Sequence, residues 1–207
     1  AYCETMETPW SEEEIAFLHL ISSQIISLTE TGHLLQTSQQ AQRFQFQLDL
    51  SKEIQTNALP EKIPIIHGLE IEAVCQMADA VGGDFYDVFP MGENRLGVIV
   101  ADISGKSISA ALRMMVLKTL IKTLPIQSLT PGQFLTALNK LVCQSFSVDS
   151  FVTMVYFIVD ANQKKVVLAN AGHLPLISFS GNTKIITEFS NGGTPLGVID
   201  FSFGESE

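Results

Sequence analysis

Two aspartates carry the strongest chemical signal in the chain. Asp84 and Asp102 stand at the outer ends of two apolar segments, Asp84–Phe89 and Leu96–Ile103, joined by Met91-Gly92-Glu93-Asn94. A hairpin symmetric about Glu93 places Asp84 opposite Asp102, and facing side chains of such a pair have Cβ atoms ~4.5–5.5 Å apart. Two carboxylates at that spacing repel, so either one takes up a proton or a cation holds both. No His or Cys joins the pair, so an all-oxygen site suits a hard divalent ion, Mg²⁺ or Mn²⁺, better than zinc. The competing reading is that one or both aspartates cap turns. A register slip of one residue would put the two carboxylates on opposite faces.

Other residues are weaker candidates. Gly82-Gly83, just before Asp84, marks a place where the backbone approaches something closely or adopts a positive φ. Asp87 lies three residues past Asp84, on the other face of the strand, and is expected to be a supporting group. Ser104-Gly105-Lys106-Ser107 resembles the end of a phosphate loop, but the glycine that motif needs is Val100 here, so a nucleotide-binding loop is rejected. Lys106 is expected as a solvated loop lysine, with a phosphate contact as the alternative. His173, in Ala171-Gly172-His173, is expected to bond nearby backbone in a turn. No serine sits in G-x-S-x-G and no Cys/His pair stands out, so a nucleophilic triad is unsupported.

These residues need a frame to hold them. Trp10-Ser11-Glu12-Glu13-Glu14-Ile15 reads as a helix start, with a Ser11–Glu14 capping box and a Trp10–Ile15 staple. Leu18, Ile21, Ile25, Leu28 and Leu35 form one apolar stripe, interrupted by Gly32. It fits a helix packed on a domain, or else a dimer seam. The glutamine-rich stretch Gln36–Gln47 reads as a helical linker. A second short helix with Phe46, Leu50 and Ile54 on one face ends at Pro60 and Pro64. Strand patterns follow at Leu69–Met77, Asp84–Phe89 and Leu96–Ile103. Helices are expected at Ser107–Leu124 and from Thr130 with Pro131 at its first position. The last strand patterns are Phe151–Val159, Lys165–Asn170, Leu174–Phe179 and Lys184–Phe189. Hairpins flanking a helix pair imply the α+β class, with helices on antiparallel sheet.

Charge and composition narrow the partners. Asp and Glu number 22 against 12 Lys and Arg, a formal charge of -10. That balance repels phosphate backbones and anionic lipid, which argues against nucleic acid and membrane surfaces and suits a cation or a basic partner. No run of about 18 apolar residues occurs, so no membrane span is expected. Three cysteines, Cys3, Cys75 and Cys143, make neither a disulfide framework nor a zinc knuckle. With no visible signal peptide, a reducing, cytoplasmic location is expected.

Several segments, taken in order, resemble one family. They are Gly82-Gly83-Asp84-Phe85-Tyr86-Asp87; Val100-Ala101-Asp102-Ile103-Ser104-Gly105-Lys106 with Ala110-Ala111-Leu112; Phe151-Val152-Thr153-Met154; Asn170-Ala171-Gly172-His173-Leu174-Pro175; and Gly193-Thr194-Pro195-Leu196-Gly197. Together they are similar to the SpoIIE/RsbU-like branch of the metal-dependent (PPM, type 2C) serine/threonine phosphatases. The resemblance implies an α-β-β-α sandwich of antiparallel sheets with a two-metal Mn²⁺ or Mg²⁺ site. It assigns Asp84, Asp102 and the Ile103 carbonyl to the metals. It also implies hydrolysis of a phosphoserine or phosphothreonine, by metal-activated water, on a small anti-anti-sigma-type partner protein.

Upstream, Trp10 to about Leu35 resembles the last helix of a GAF sensor domain. Leu50-Ser51-Lys52-Glu53-Ile54-Gln55 through Leu59-Pro60 is similar to the family's signalling linker, which implies a homodimer through that helix. The expected organisation is therefore 1–35 sensor end, 36–64 helical linker and 65–207 phosphatase domain. Two departures accompany the resemblance. Ser107 replaces the usual glycine after Lys106, and the family's late TDG strand with its last acidic ligand does not occur before Glu207. The expectation is a fragment, weak or inactive alone; the alternative is a non-catalytic regulatory or dimerisation module.

Overall fold

The computed structural model describes residues 10–76, 82–105, 107–189 and 192–206. Helix α1 runs without a break over Glu12–Ala58. Its start is the expected capping box: the Ser11 N–H donates to Glu14 Oε2 at 2.8 Å, and the Glu14 N–H donates to Ser11 Oγ at 3.3 Å. Separate linker and second helix do not form, because no proline interrupts residues 12–58 and Gly32, the one glycine, costs only about 1 kcal/mol. The chain divides between Phe46 and Gln47 into two compact units. In the first, the stripe from Leu18 to Leu35 is exposed, Leu28 at 66%. The expectation of a stripe buried against a domain is therefore not met within this unit.

In the second unit, β1 (Asp84–Pro90), β2 (Arg95–Ile103), β3 (Val152–Asp160) and β4 (Lys165–Ala171) form one antiparallel sheet in that order. Helices α2 (Ser107–Thr123) and α3 (Pro131–Ser145) cover one face. Thr130 caps α3 in a full capping box with Gln133, as the Thr-Pro pair predicts. Period-two alternation turns Phe85, Ile99, Ala101, Ile103, Met154 and Tyr156 toward the helices. There they are buried with Met114, Leu117, Phe134, Leu135 and Leu138. Asn139, fully buried on α3, ties down the chain beyond β6: it accepts from the Gly197 N–H at 2.9 Å and donates to the Ile199 carbonyl at 2.8 Å.

Strands β5 (Leu176–Phe179) and β6 (Ile186–Phe189) pair as a separate two-stranded sheet. The α+β class with antiparallel sheets is borne out. Of the strand expected at Leu69–Met77, Met77 lies outside the described residues and Leu69–Gln76 forms no strand. Leu69 and Ile71 instead pack with Ile66, Val88 and Leu96 over the sheet face that the helices leave uncovered. β2 is central and its sequence is apolar on both faces, but the face away from the helices is closed only toward the hairpin turn, where Leu96 is buried; Val100 and Asp102 further along it are exposed.

Candidate metal centre

The site begins with a turn. Gly92 (φ +101°) and Asn94 (φ +53°) take the left-handed conformations that reverse the chain, and the Met91 N–H donates to the Arg95 carbonyl at 2.9 Å. From this turn the β1–β2 ladder runs in the register symmetric about Glu93, ending with Asp84 directly opposite Asp102. Both carboxylates stand on the uncovered face and are exposed.

Gly83 shows what the second of the two glycines is for. A Cβ there would collide with the Ile103 carbonyl oxygen and lie 2.9 Å from Asp102 Oδ1. The requirement is close approach rather than positive φ. Gly83 thus puts no side chain of its own at a spot bordered by two oxygens, with Asp84 next in the chain. Oxygen donors of this kind fit a hard divalent cation. Among the described residues no group of three or more His, Cys, Asp or Glu side chains is placed to hold a metal.

The polar row continues across the sheet. Asp102 pairs with Thr153 of β3, and Thr153 Oγ1 lies 2.8 Å from His173 Nδ1. The ring of His173 therefore bonds a side chain, not the backbone that its turn setting suggested. The turn itself is pinned by Asn170, which is 4% exposed. It accepts from the His173 N–H at 2.7 Å and donates to the His173 carbonyl at 3.0 Å. Gly172 (φ +68°) packs so tightly on Pro195 that a Cβ would sit 2.9 Å from its ring. Leu196 exchanges two backbone hydrogen bonds with Val152. Segments far apart in sequence thus converge beside the carboxylates.

Asp84, Asp102, Thr153 and His173 border one groove of about 1070 Å³, walled by Leu69–Gln76 and by Val98, Val100 and Phe157 of the open face. Partial burial pushes the Asp102 carboxyl above its usual range; the Asp84 charge acts the same way, and His173 opposes it. Burial pushes His173 below the usual histidine value, against the pull of Asp102 and Asp84. Asp87 lies on the helix side, as its spacing predicts. It accepts from the Val88 N–H at 2.9 Å, and burial raises it against that bond and the charges of Lys118 and Lys122.

Lys106 lies outside the described residues, as does Cys3. Cys75 and Cys143 are free thiols. Among the described residues, no helix is long and apolar enough to cross a membrane. Thr153 and Asn170 had no assigned role in the sequence. A register argument for β3 against β2, like the one made for the hairpin, would have put Thr153 beside Asp102.

Fold and site define an antiparallel α+β domain with paired carboxylates at the mouth of an open groove. Residues 92–207 match the family described as Stage II sporulation protein E (SpoIIE), and the chain belongs to that family. It is 29% identical over 157 residues to the phosphoserine phosphatase RsbU of Bacillus subtilis (strain 168), covering 76% of this chain and 47% of that protein. It is also 29% identical over 136 residues to the phosphoserine phosphatase RsbP of the same organism, covering 63% and 33%. The chain therefore spans less than half the length of these curated relatives. Its fold is similar to the SiaA-PP2C domain of Pseudomonas aeruginosa, with TM-score 0.65 at 19% identity, over 80% of this chain and 68% of that one.

Proposed function

We propose that the chain is the catalytic part of a metal-dependent phosphoserine/phosphothreonine protein phosphatase. The observation that carries this reading is Asp84 opposite Asp102 beside the Ile103 carbonyl oxygen, within a family whose relatives above are named phosphoserine phosphatases. Asp84, Asp102 and the Ile103 carbonyl would hold Mn²⁺ or Mg²⁺. Such ions, when bound, polarise a phosphoryl group and make a coordinated water acidic enough to attack it near neutral pH.

The chain's own residues prepare that chemistry. The two carboxylates concentrate negative charge where a divalent ion is needed, and the ion offsets the repulsion that a chain of charge -10 imposes on a phosphate. Gly83 keeps the approach free of side chain. Thr153 and His173 add polar groups on the far side of Asp102, and Asn170 fixes the turn that presents them. The apolar open face beyond them supplies a surface for the protein that carries the phosphate.

The substrate in this reading is a phosphorylated anti-anti-sigma-type protein, met in the cytoplasm. Residues 1–35 are the end of a GAF-like sensor, 36–64 the signalling helix and 65–207 the phosphatase domain. The exposed stripe of α1 pairs with a second copy. The test is phosphate release from a phosphoserine protein with Mn²⁺, on this chain and on the full-length gene product. Wild type should release phosphate in at least one of them, and Asp84→Asn and Asp102→Asn should abolish release. Inert wild type in both, despite bound Mn²⁺, would favour the second reading, a regulatory and dimerisation module, for which the exposed α1 stripe speaks.

A further inference from the structure

We propose that Gln55, near the end of α1, is a positioning residue that sets the backbone of Gly82–Asp84 and thereby the Asp84 carboxylate. The proposal rests on the reading of Asp84 and Asp102 as a metal-holding pair. Gln55 is fully buried. Its Oε1 accepts from the Gly82 N–H at 3.1 Å. Its Nε2 donates to the Gly82 carbonyl at 2.9 Å and, over a longer 3.4 Å, to the Asp84 carbonyl.

The geometry gives this amide a specific task. Among the described residues β1 is an edge strand, with β2 on one side only. Peptide groups along a strand alternate sides. That of Gly83 points inward, its carbonyl accepting from the Ile103 N–H at 3.1 Å. Gly82 and Asp84 point outward, where an edge leaves backbone groups without a strand partner. Gln55 fills that place with one acceptor and one donor, as a neighbouring peptide would. The three residues leading into the site are thereby gripped from both sides, by Ile103 and by Gln55. Asn is a methylene too short to reach the same points. Glu offers no donor, and Met offers neither group.

The grip is only as fixed as the last turns of α1, and these are anchored. Ala58 is fully buried in the core. Lys118 Nζ of α2 donates to the carbonyls of Ala58 and Asn57 at 2.5 and 3.4 Å, putting a cation at the negative end of the helix dipole. A rotation or slide of this turn withdraws the amide from Gly82. Gln55 is therefore the point at which a change in α1 reaches the carboxylate pair.

The experiment uses the whole chain with Gln55→Met, which keeps length and volume, and Gln55→Asn, which keeps the amide. Hydrogen exchange in the metal-free protein reads the grip, and calorimetric titration with Mn²⁺ alone reads the carboxylates. Both variants should raise exchange in peptides covering 82–85 by about tenfold while α3 peptides stay at the wild-type rate. Both should weaken Mn²⁺ binding by about fivefold or more. Unchanged exchange at 82–85 in a folded variant overturns the proposal. So does a rise spread equally over α3, which marks Gln55 as a core residue only, and so does a local rise with unaltered Mn²⁺ affinity. Asp102→Asn is titrated alongside. If it binds Mn²⁺ as wild type does, the metal reading fails, and the exchange data still decide the grip.

Discussion

Asp84 and Asp102 face each other across the β1–β2 ladder, on the side of the sheet that α2 and α3 leave uncovered. Two like charges held by backbone pairing oppose folding until something neutralises them. In EDTA at neutral pH, Asp102→Asn should therefore raise the thermal midpoint, by about 1–4 °C for a like-charge pair in a protein of this size. With Mn²⁺ the order should reverse, wild type gaining stability and Asp102→Asn gaining none. Thermal unfolding of both proteins, with and without Mn²⁺, measures this. A variant less stable than wild type in EDTA would mean that the pair does not repel.

The same pair predicts a pH dependence. The Asp102 carboxyl is raised in the folded chain, by burial and then by Asp84, so the folded state holds its proton to higher pH than the unfolded state does. Its contribution to stability therefore falls as pH rises through the carboxylate range. Without metal, the advantage of Asp102→Asn should be present at neutral pH and shrink as pH drops below that range. Urea unfolding of both proteins across that range checks the sign; an advantage that grows on acidification would contradict it.

The hairpin was legible because its turn residues and alternation fix a register with no outside help, and that register alone brings Asp84 to Asp102. The capped starts of α1 and α3 were legible for the same local reason. What escaped depends on tertiary surroundings. Leu69–Gln76 has a strand's composition, yet its apolar residues find a sheet face rather than a sheet edge. Gln36–Gln47 is helical, as its composition suggests, but being free of proline and glycine it joins the helices on either side into one instead of separating them. Thr153, Asn170 and Gln55 are ordinary in sequence. The parts of Asn170 and Gln55 follow from which strand or loop lies beside them; that of Thr153 follows from the β2–β3 register, which needs those two strands to be recognised as neighbours first.

Gly83 tests how tightly the backbone is packed beside the carboxylates. Gly83→Ala drives a methyl into the Ile103 carbonyl, whose backbone the ladder holds, and against Asp102 Oδ1. It should cost about 1–3 kcal/mol, as overpacking of a rigid site does. Gly181→Ala has nothing within 4 Å to meet and serves as the control, with stability close to wild type. Equal stabilities for the two variants in denaturant titrations would show that the Gly83 backbone can move aside.

His173 reports on the charge beside it. Burial lowers its pKa, while Asp102 and Asp84 pull it back up. Asp102→Asn should therefore lower the His173 pKa further, visible as an acid shift of its imidazole titration by NMR in the metal-free chain. Because the folded value lies below the unfolded one, His173 costs stability as pH falls through the ordinary histidine range. His173→Asn should flatten that part of the stability profile. An upward shift on Asp102→Asn would mean that the carboxylate does not act on the ring.

The α1 stripe carries the last prediction. Leu18, Ile21, Ile25, Leu28 and Leu35 repeat at alternating spacings of three and four, with one full heptad step across Gly32, the pattern of a two-stranded seam. All five are exposed in the single chain, and a Cβ at Gly32 would meet nothing within 4 Å. If two copies pair along this stripe, Gly32 is a missing knob. Gly32→Leu should then tighten the dimer, while Ile25→Asp, which puts a charge in the seam, should dissociate it. The readout is the dimerisation constant by sedimentation equilibrium, since Gly32→Leu also raises helix propensity and a melting curve would not separate the two effects. A wild-type chain that stays monomeric at high concentration, with Gly32→Leu no different, would remove α1 as the pairing surface. It would leave the exposed stripe to a partner of another kind.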